Sequence, residues 1–110
     1  MTLKVVEYIQ PDGKSPYATW FNALPAQAAA KVATAQIRLE RGLTSSIKWF
    51  AGLGEYRINW GKGLRIYLAK DGDELIVLLG GGDKSSQKQD IIKAKALLSE
   101  YKQRKTQKQV

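Results

Sequence analysis

Apolar and polar positions alternate over residues 3–9, Leu-Lys-Val-Val-Glu-Tyr-Ile, and β-branched and aromatic side chains fill the segment. That pattern predicts a strand. Gln10-Pro11-Asp12-Gly13-Lys14 is turn chemistry, and Ser15-Pro16 reads as an N-cap followed by proline at the first helical position. A short helix follows over 17–24. Pro25 opens a second one over 26–41, alanine-rich, with Ala28, Val32, Ala35 and Leu39 on one face and Gly42 as its stop. Small contact residues suggest that the two helices pack as a hairpin. Residues 43–53 read as a loop in which Trp49 and Phe50 are core or loop anchors, with partner binding as the other option.

Three strand signals come next. Residues 55–60 alternate, with Tyr56, Ile58 and Trp60 against Glu55, Arg57 and Asn59. Residues 64–70 alternate as well, and Leu75 to Leu79 is apolar throughout, as a strand buried on both faces would be. Asp71-Gly72-Asp73 joins the last two strands. A three-residue loop at 61–63, with Gly63 at positive φ, pairs Trp60 with Leu64, Asn59 with Arg65, Ile58 with Ile66 and Arg57 with Tyr67. A two-residue loop would mix the faces, because a one-residue slip flips every side chain. The reading therefore places Glu55, Arg57, Asn59, Arg65 and Tyr67 on one polar face and packs the helices on the other. Gly80-Gly81-Gly82 closes the last strand. Ser86 with Gln89 fits a capping box for a final helix carrying Ile91, Ala94, Leu98 and Tyr101 as its apolar stripe. The expected order is β-α-α-β-β-β-α in one α+β domain spanning residues 1–110, a mostly antiparallel sheet with helices on one face.

Composition changes the picture mainly by exclusion. The chain has 110 residues and no histidine or cysteine. That removes thiol nucleophiles, zinc fingers, Ser-His-Asp triads and His-ligated metals. No apolar run approaches the ~18–20 residues of a membrane span, and the N-terminus lacks a signal-peptide pattern, so a cytoplasmic protein is expected. Net charge is +8, from 18 Lys+Arg and 10 Asp+Glu. Residues 56–110 hold 12 of those cations and 6 of the acids, and the stretch from Lys102 to Val110 is basic, expected to fray from about 103 onward. A polyanion partner follows.

Strand order sharpens that inference. Arg57, Asn59, Lys62, Arg65 and Lys84 converge on one end of the polar sheet face, where arginine forks suit phosphate oxygens. A solvated face with arginines paired to Glu55 and Asp83 is the plainer alternative. Tyr67 could stack on a base. Gly80 to Ser85 is no P-loop: Asp83 precedes Lys84 and Leu79 fills the position of the earlier glycine. The glycines suit close backbone approach to RNA or to a neighbouring element.

Four segments then resemble a known family: Gly54-Glu55-Tyr56-Arg57-Ile58, Gly63-Leu64-Arg65-Ile66-Tyr67, Leu78 to Gln87 through the triple glycine and Asp83-Lys84-Ser85-Ser86, and Ile92-Lys93-Ala94-Lys95. With Trp20 and Leu24, the resemblance covers about residues 3–103 and is to the addiction-module killer proteins, HigB-like members of the RelE/ParE toxin superfamily. It implies a RelE-like fold and a toxin neutralised by a cognate antitoxin protein. It also implies a cofactor-free, metal-independent endoribonuclease that cuts mRNA on the ribosome. Carried over position by position, it matches Arg57, Arg65 and Lys84 and also marks Glu55, Asp83 and Gln87. Together with the strand reading this gives Arg57, Arg65, Lys84 and Glu55 as the catalytic set, Glu55 as general base or as the group that orients Arg57, and Asn59, Lys62, Tyr67, Asp83 and Gln87 as RNA contacts. Some relatives use a His or Tyr near the end of the last strand, and this chain has no His. A ParE-like gyrase inhibitor and an inactive nucleic-acid-binding relative are the alternatives.

Overall fold

The structure, a computed structural model, describes residues 2–108. Strand β1 (Lys4–Glu7) leads into helices α1 (Pro16–Asn22) and α2 (Ala26–Glu40). Strands β2 (Ile47–Phe50), β3 (Leu53–Ile58), β4 (Leu64–Asp71) and β5 (Leu75–Gly82) follow, then a single 3₁₀ turn (Lys84–Ser86) and helix α3 (Gln87–Lys108). The sheet order is β1-β5-β4-β3-β2, antiparallel except where β1 pairs with β5 in parallel. The α+β class and the mostly antiparallel sheet are as expected.

The helix starts follow from local chemistry. Ser15 Oγ accepts from the Ala18 N–H at 3.0 Å, and Pro16 takes the first helical position. The buried face of α2 is Ala28, Val32, Ala35 and Leu39, as the spacing predicts, and Gly42 ends the helix at φ 82°.

Several expectations are corrected. Residues 43–53 are not all loop, for Ile47–Phe50 forms the edge strand β2. Its tight turn uses Ala51 at φ 52° and Gly52 at φ 81°, without the Asn-Gly that advertises such turns. The β3–β4 connection has five residues, not three, so Arg57 lies opposite Arg65, Tyr56 opposite Ile66 and Glu55 opposite Tyr67. Gly63 does adopt positive φ, joined by Gly61. The helices do not share one face. Helices α1 and α2 cover Tyr56, Ile66, Leu68, Ile76 and Leu78, whereas α3 covers Leu53, Tyr67, Ala69, Val77 and Leu79 through Ala94 and Leu98. The 3₁₀ turn is capped by Asp83, boxed with Ser86, rather than by Ser86 with Gln89. The segment expected to fray is helical through Lys108: Arg104 donates to the Ile9 carbonyl at 2.6 Å and Lys105 to Asp71 at 2.6 Å. Gln109 and Val110 lie outside the described residues.

The glycine run serves neighbouring elements. A Cβ on Gly81 would overlap the Trp20 ring of α1, and one on Gly82 would overlap the Asp90 carboxylate of α3. Among the described residues no helix is long and apolar enough to cross a membrane.

Candidate functional site

The period of two along a strand places Glu55 and Arg57 on the α3 side of β3, and the register aligns them with Tyr67 and Arg65 on β4. Gly82 lies opposite Arg65 and Gly80 opposite Tyr67 on β5. Because Gly82 has no side chain, the first turn of α3 settles directly on the sheet at this end. It brings Gln87 over β3 and Asp90 against β5.

Glu55 is the hub. It is 1% exposed. Its Oε1 accepts from Arg57 Nε at 2.8 Å and its Oε2 from the Gln87 amide at 2.8 Å. Arg65 Nε stands 3.6 Å from the same Oε2, an ion pair too long for a hydrogen bond. Burial pushes the Glu55 carboxyl up, but the hydrogen bonds from Arg57 and Gln87 and the two guanidinium charges outweigh it. The net result lies below the usual carboxylate range, so Glu55 is an anion with both oxygens engaged. That arrangement orients arginines and is poorly suited to taking a proton.

Arg65 is the unusual member. Its residue is 7% exposed, and among the described residues its buried Nε and Nη1 have no hydrogen-bond partner. A buried guanidinium with unmatched donors is costly unless something accepts from it. Arg57 is the opposite case, with a side chain 53% exposed while Nε is anchored.

The remaining predicted residues divide. Lys62 and Lys84 are exposed and meet through the backbone, the Lys84 N–H donating to the Lys62 carbonyl at 3.3 Å. Both cations therefore stand at the same end of the sheet as the arginines, as strand order predicts. Asp83 is a cap: its carboxylate accepts from Ser85, and that bond, more than the charge of Lys62, draws its pKa down. Gln87 is spent on Glu55, so it clamps α3 to the sheet instead of reaching outward. Asn59 falls beyond the end of β3, exposed in the loop rather than paired with Arg65. Tyr67 is 0% exposed beneath α3, so its ring is closed to base stacking. Burial, reinforced by the Glu55 and Asp90 charges, pushes its hydroxyl above the ordinary tyrosine value.

Asp90 is a neighbour the sequence reading missed. It accepts from Ser86 Oγ and sits against Gly82. Its signal was available in retrospect as an acid one helical turn into a helix that follows a glycine strand end. Among the described residues no group of three His, Cys, Asp or Glu side chains gathers at metal-binding spacing.

No protein-family model matches the chain. It is similar to a Haemophilus influenzae protein that carries the description "Uncharacterized protein", 40% identical over 84 residues. The match covers 74% of this chain and 85% of that protein, and at this identity and coverage the chain belongs to the same family as the Haemophilus protein.

Proposed function

We propose that this protein is a toxin of a toxin–antitoxin pair, a RelE-like endoribonuclease that cleaves mRNA at the Arg57–Arg65 end of the sheet. The observation that carries the reading is the arginine pair held by one buried carboxylate, Arg57 exposed and anchored on Glu55 and Arg65 buried against it, at the end of the sheet where Lys62 and Lys84 stand. The exposed fork of Arg57 suits the oxygens of a phosphodiester, and the buried Arg65 adds its charge from behind.

In this reaction the 2′-oxygen attacks the adjacent phosphorus and its proton leaves to water. The P–O5′ bond breaks, a 2′,3′-cyclic phosphate forms, and O5′ takes a proton from Lys84. The chemistry needs no cofactor. Charge gathers on the non-bridging oxygens in the transition state, and fixed cations stabilise it without reorganising. Arg65 and Arg57 supply that stabilisation. Glu55 is a positioning residue acting through both arginines, with Gln87 holding it. A site with no dedicated base gains most from a substrate held in line, which is the contribution expected of the ribosome. A protein antitoxin, acidic where it meets these cations, is the partner that silences the site.

The test is expression without the antitoxin, followed by mapping of RNA 5′ ends in ribosome-bound message. New 5′ ends should appear with the wild type and vanish with Arg65→Ala. Growth arrest with intact transcripts and impaired DNA supercoiling would instead favour the gyrase-inhibiting reading.

A further inference from the structure

Helix α3 carries Lys88, Lys95 and Lys102 at intervals of seven residues, all exposed. Seven residues advance a helix by about 10.5 Å and return almost to the same azimuth, so the three ammonium groups form a nearly straight row about 21 Å long. The row runs along one flank of the buried stripe that contains Ala94 and Leu98. That flank faces the β2–β3 side of the sheet: a Cβ placed on Gly52, in the β2–β3 turn, would lie 3.8 Å from Lys102 Nζ. Across the gap, Lys48 on β2 pairs in register with Glu55, so it projects from the same sheet face, and it too is exposed. The row begins next to the 3₁₀ turn that holds Lys84, beside the arginine pair.

Glu55, opposite Lys48, is engaged with Arg57 and Gln87. Among the described residues the ion pairs involve Arg57, Arg65 and Lys105, and none involves Lys48, Lys84, Lys88, Lys95 or Lys102. The acids of α3 are engaged elsewhere, Asp90 with Ser86 and Glu100 with Tyr8. Lys93 lies on the opposite flank, in the groove it shares with Gln10 and Pro16.

We propose that this flank of α3, with Lys48 facing it, is a track for the phosphate backbone of single-stranded RNA leading into the Arg57–Arg65 site. The proposal rests on the ribonuclease reading for the identity of the polyanion. A single-sign groove that follows the backbone is how proteins hold single strands without reading sequence. A row about 21 Å long is enough to hold several successive phosphates of a single strand. Between the lysines this flank carries Ile92 and Ser99, and one exposed isoleucine does not supply the apolar face that a membrane-surface helix requires.

The experiment measures binding of a fluorescent 12-nucleotide 2′-O-methyl oligouridylate, which cannot be cleaved by its own 2′-oxygen, across a salt series. The track variant is Lys88→Ala/Lys95→Ala/Lys102→Ala. The reference variant, Lys14→Ala/Lys31→Ala/Lys93→Ala, removes the same charge from exposed positions off the track. At about −0.7 in log–log salt slope per phosphate contact, the track variant should be shallower than wild type by about 2 and bind roughly a hundredfold more weakly near 0.1 M salt. The reference variant should stay close to wild type. Equal weakening of both variants would overturn the track, as would no effect in either, no binding by the wild type, or equal competition by polyglutamate. Failure of the ribonuclease reading looks different: tight, track-dependent binding alongside an unmethylated oligonucleotide and ribosome-bound message that both stay intact. Failure of the track alone leaves Arg65-dependent cleavage in place with the two variants alike.

Discussion

On the α1–α2 side of the sheet, Ile66 and Leu68 of β4 join Ile76, Leu78, Val32 and Leu39 in one dry cluster. On the α3 side the alternate residues of the same strand are Arg65, Tyr67 and Ala69. Tyr67 and Ala69 continue an apolar layer under Ala94 and Leu98, while Arg65 faces Glu55 and keeps two donors unmatched. Both faces are buried, so burial does not distinguish them. What differs is whether the polar groups are satisfied within the chain. The first face is finished by its own packing, whereas one end of the second is arranged around a buried charge that the chain pairs only with Glu55.

Substitutions on neighbouring residues can break this contrast. Ile66→Ala should cost about 2–5 kcal/mol of stability, measured by denaturant unfolding, because it opens a cavity in a dry core. Cleavage per folded molecule should stay the same, and a loss of cleavage without a loss of stability would mean that the two faces are not separable. Arg65→Ala should act on the chemistry. Cleavage per folded molecule should fall by roughly a hundred- to a thousandfold, the scale for one preorganised donor, and stability should fall as well, because the buried Glu55 loses one of its cations.

Glu55→Gln sharpens the comparison by charge alone. It should cost about 2 kcal/mol at neutral pH, the scale of hydrogen bonds to a charged group. Glu55 is held below its ordinary value, so its contribution is complete above the usual glutamate pKa of about 4.3 and is lost as pH falls through the lower folded value. Wild-type and Glu55→Gln stabilities should therefore converge in acid, and a constant gap down to about pH 2 would refute the assignment of charge. The smallest effect is expected from Tyr67→Phe. Its buried hydroxyl has no partner among the described residues, so removing it should leave stability unchanged or raise it by about 1 kcal/mol. A loss of stability would reveal a satisfied hydroxyl.

Parity was legible in the sequence, and distance was not. Alternation over residues 55–60 and 64–70 correctly put Glu55, Arg57, Arg65 and Tyr67 on one face. It could not choose between loops of three and five residues, since the two differ by one full period. The apolar run Leu75 to Leu79 already implied cover on both faces of β5, and α3 provides the second cover. That same cover buries Tyr67 and Arg65, which alternation alone had left facing solvent. Strand β2 escaped notice because four residues are short and its turn relies on Ala51 in a left-handed conformation. Gln87 was marked by resemblance, but its bond to Glu55 spans 32 residues and depends on where α3 lands.

The parallel pairing of β1 with β5 has a consequence in time. Lys4 finds its partner at Leu75, so the first strand waits for most of the chain before it can join the sheet. Contacts so distant in sequence are paid for in loop entropy before they return anything, and they slow folding. During synthesis the hairpin of β3 and β4 can close early, but β1 stays unpaired and the arginine end stays uncovered until α3 has left the ribosome. Pulse-labelled hydrogen exchange during refolding should show β3 and β4 protected before β1.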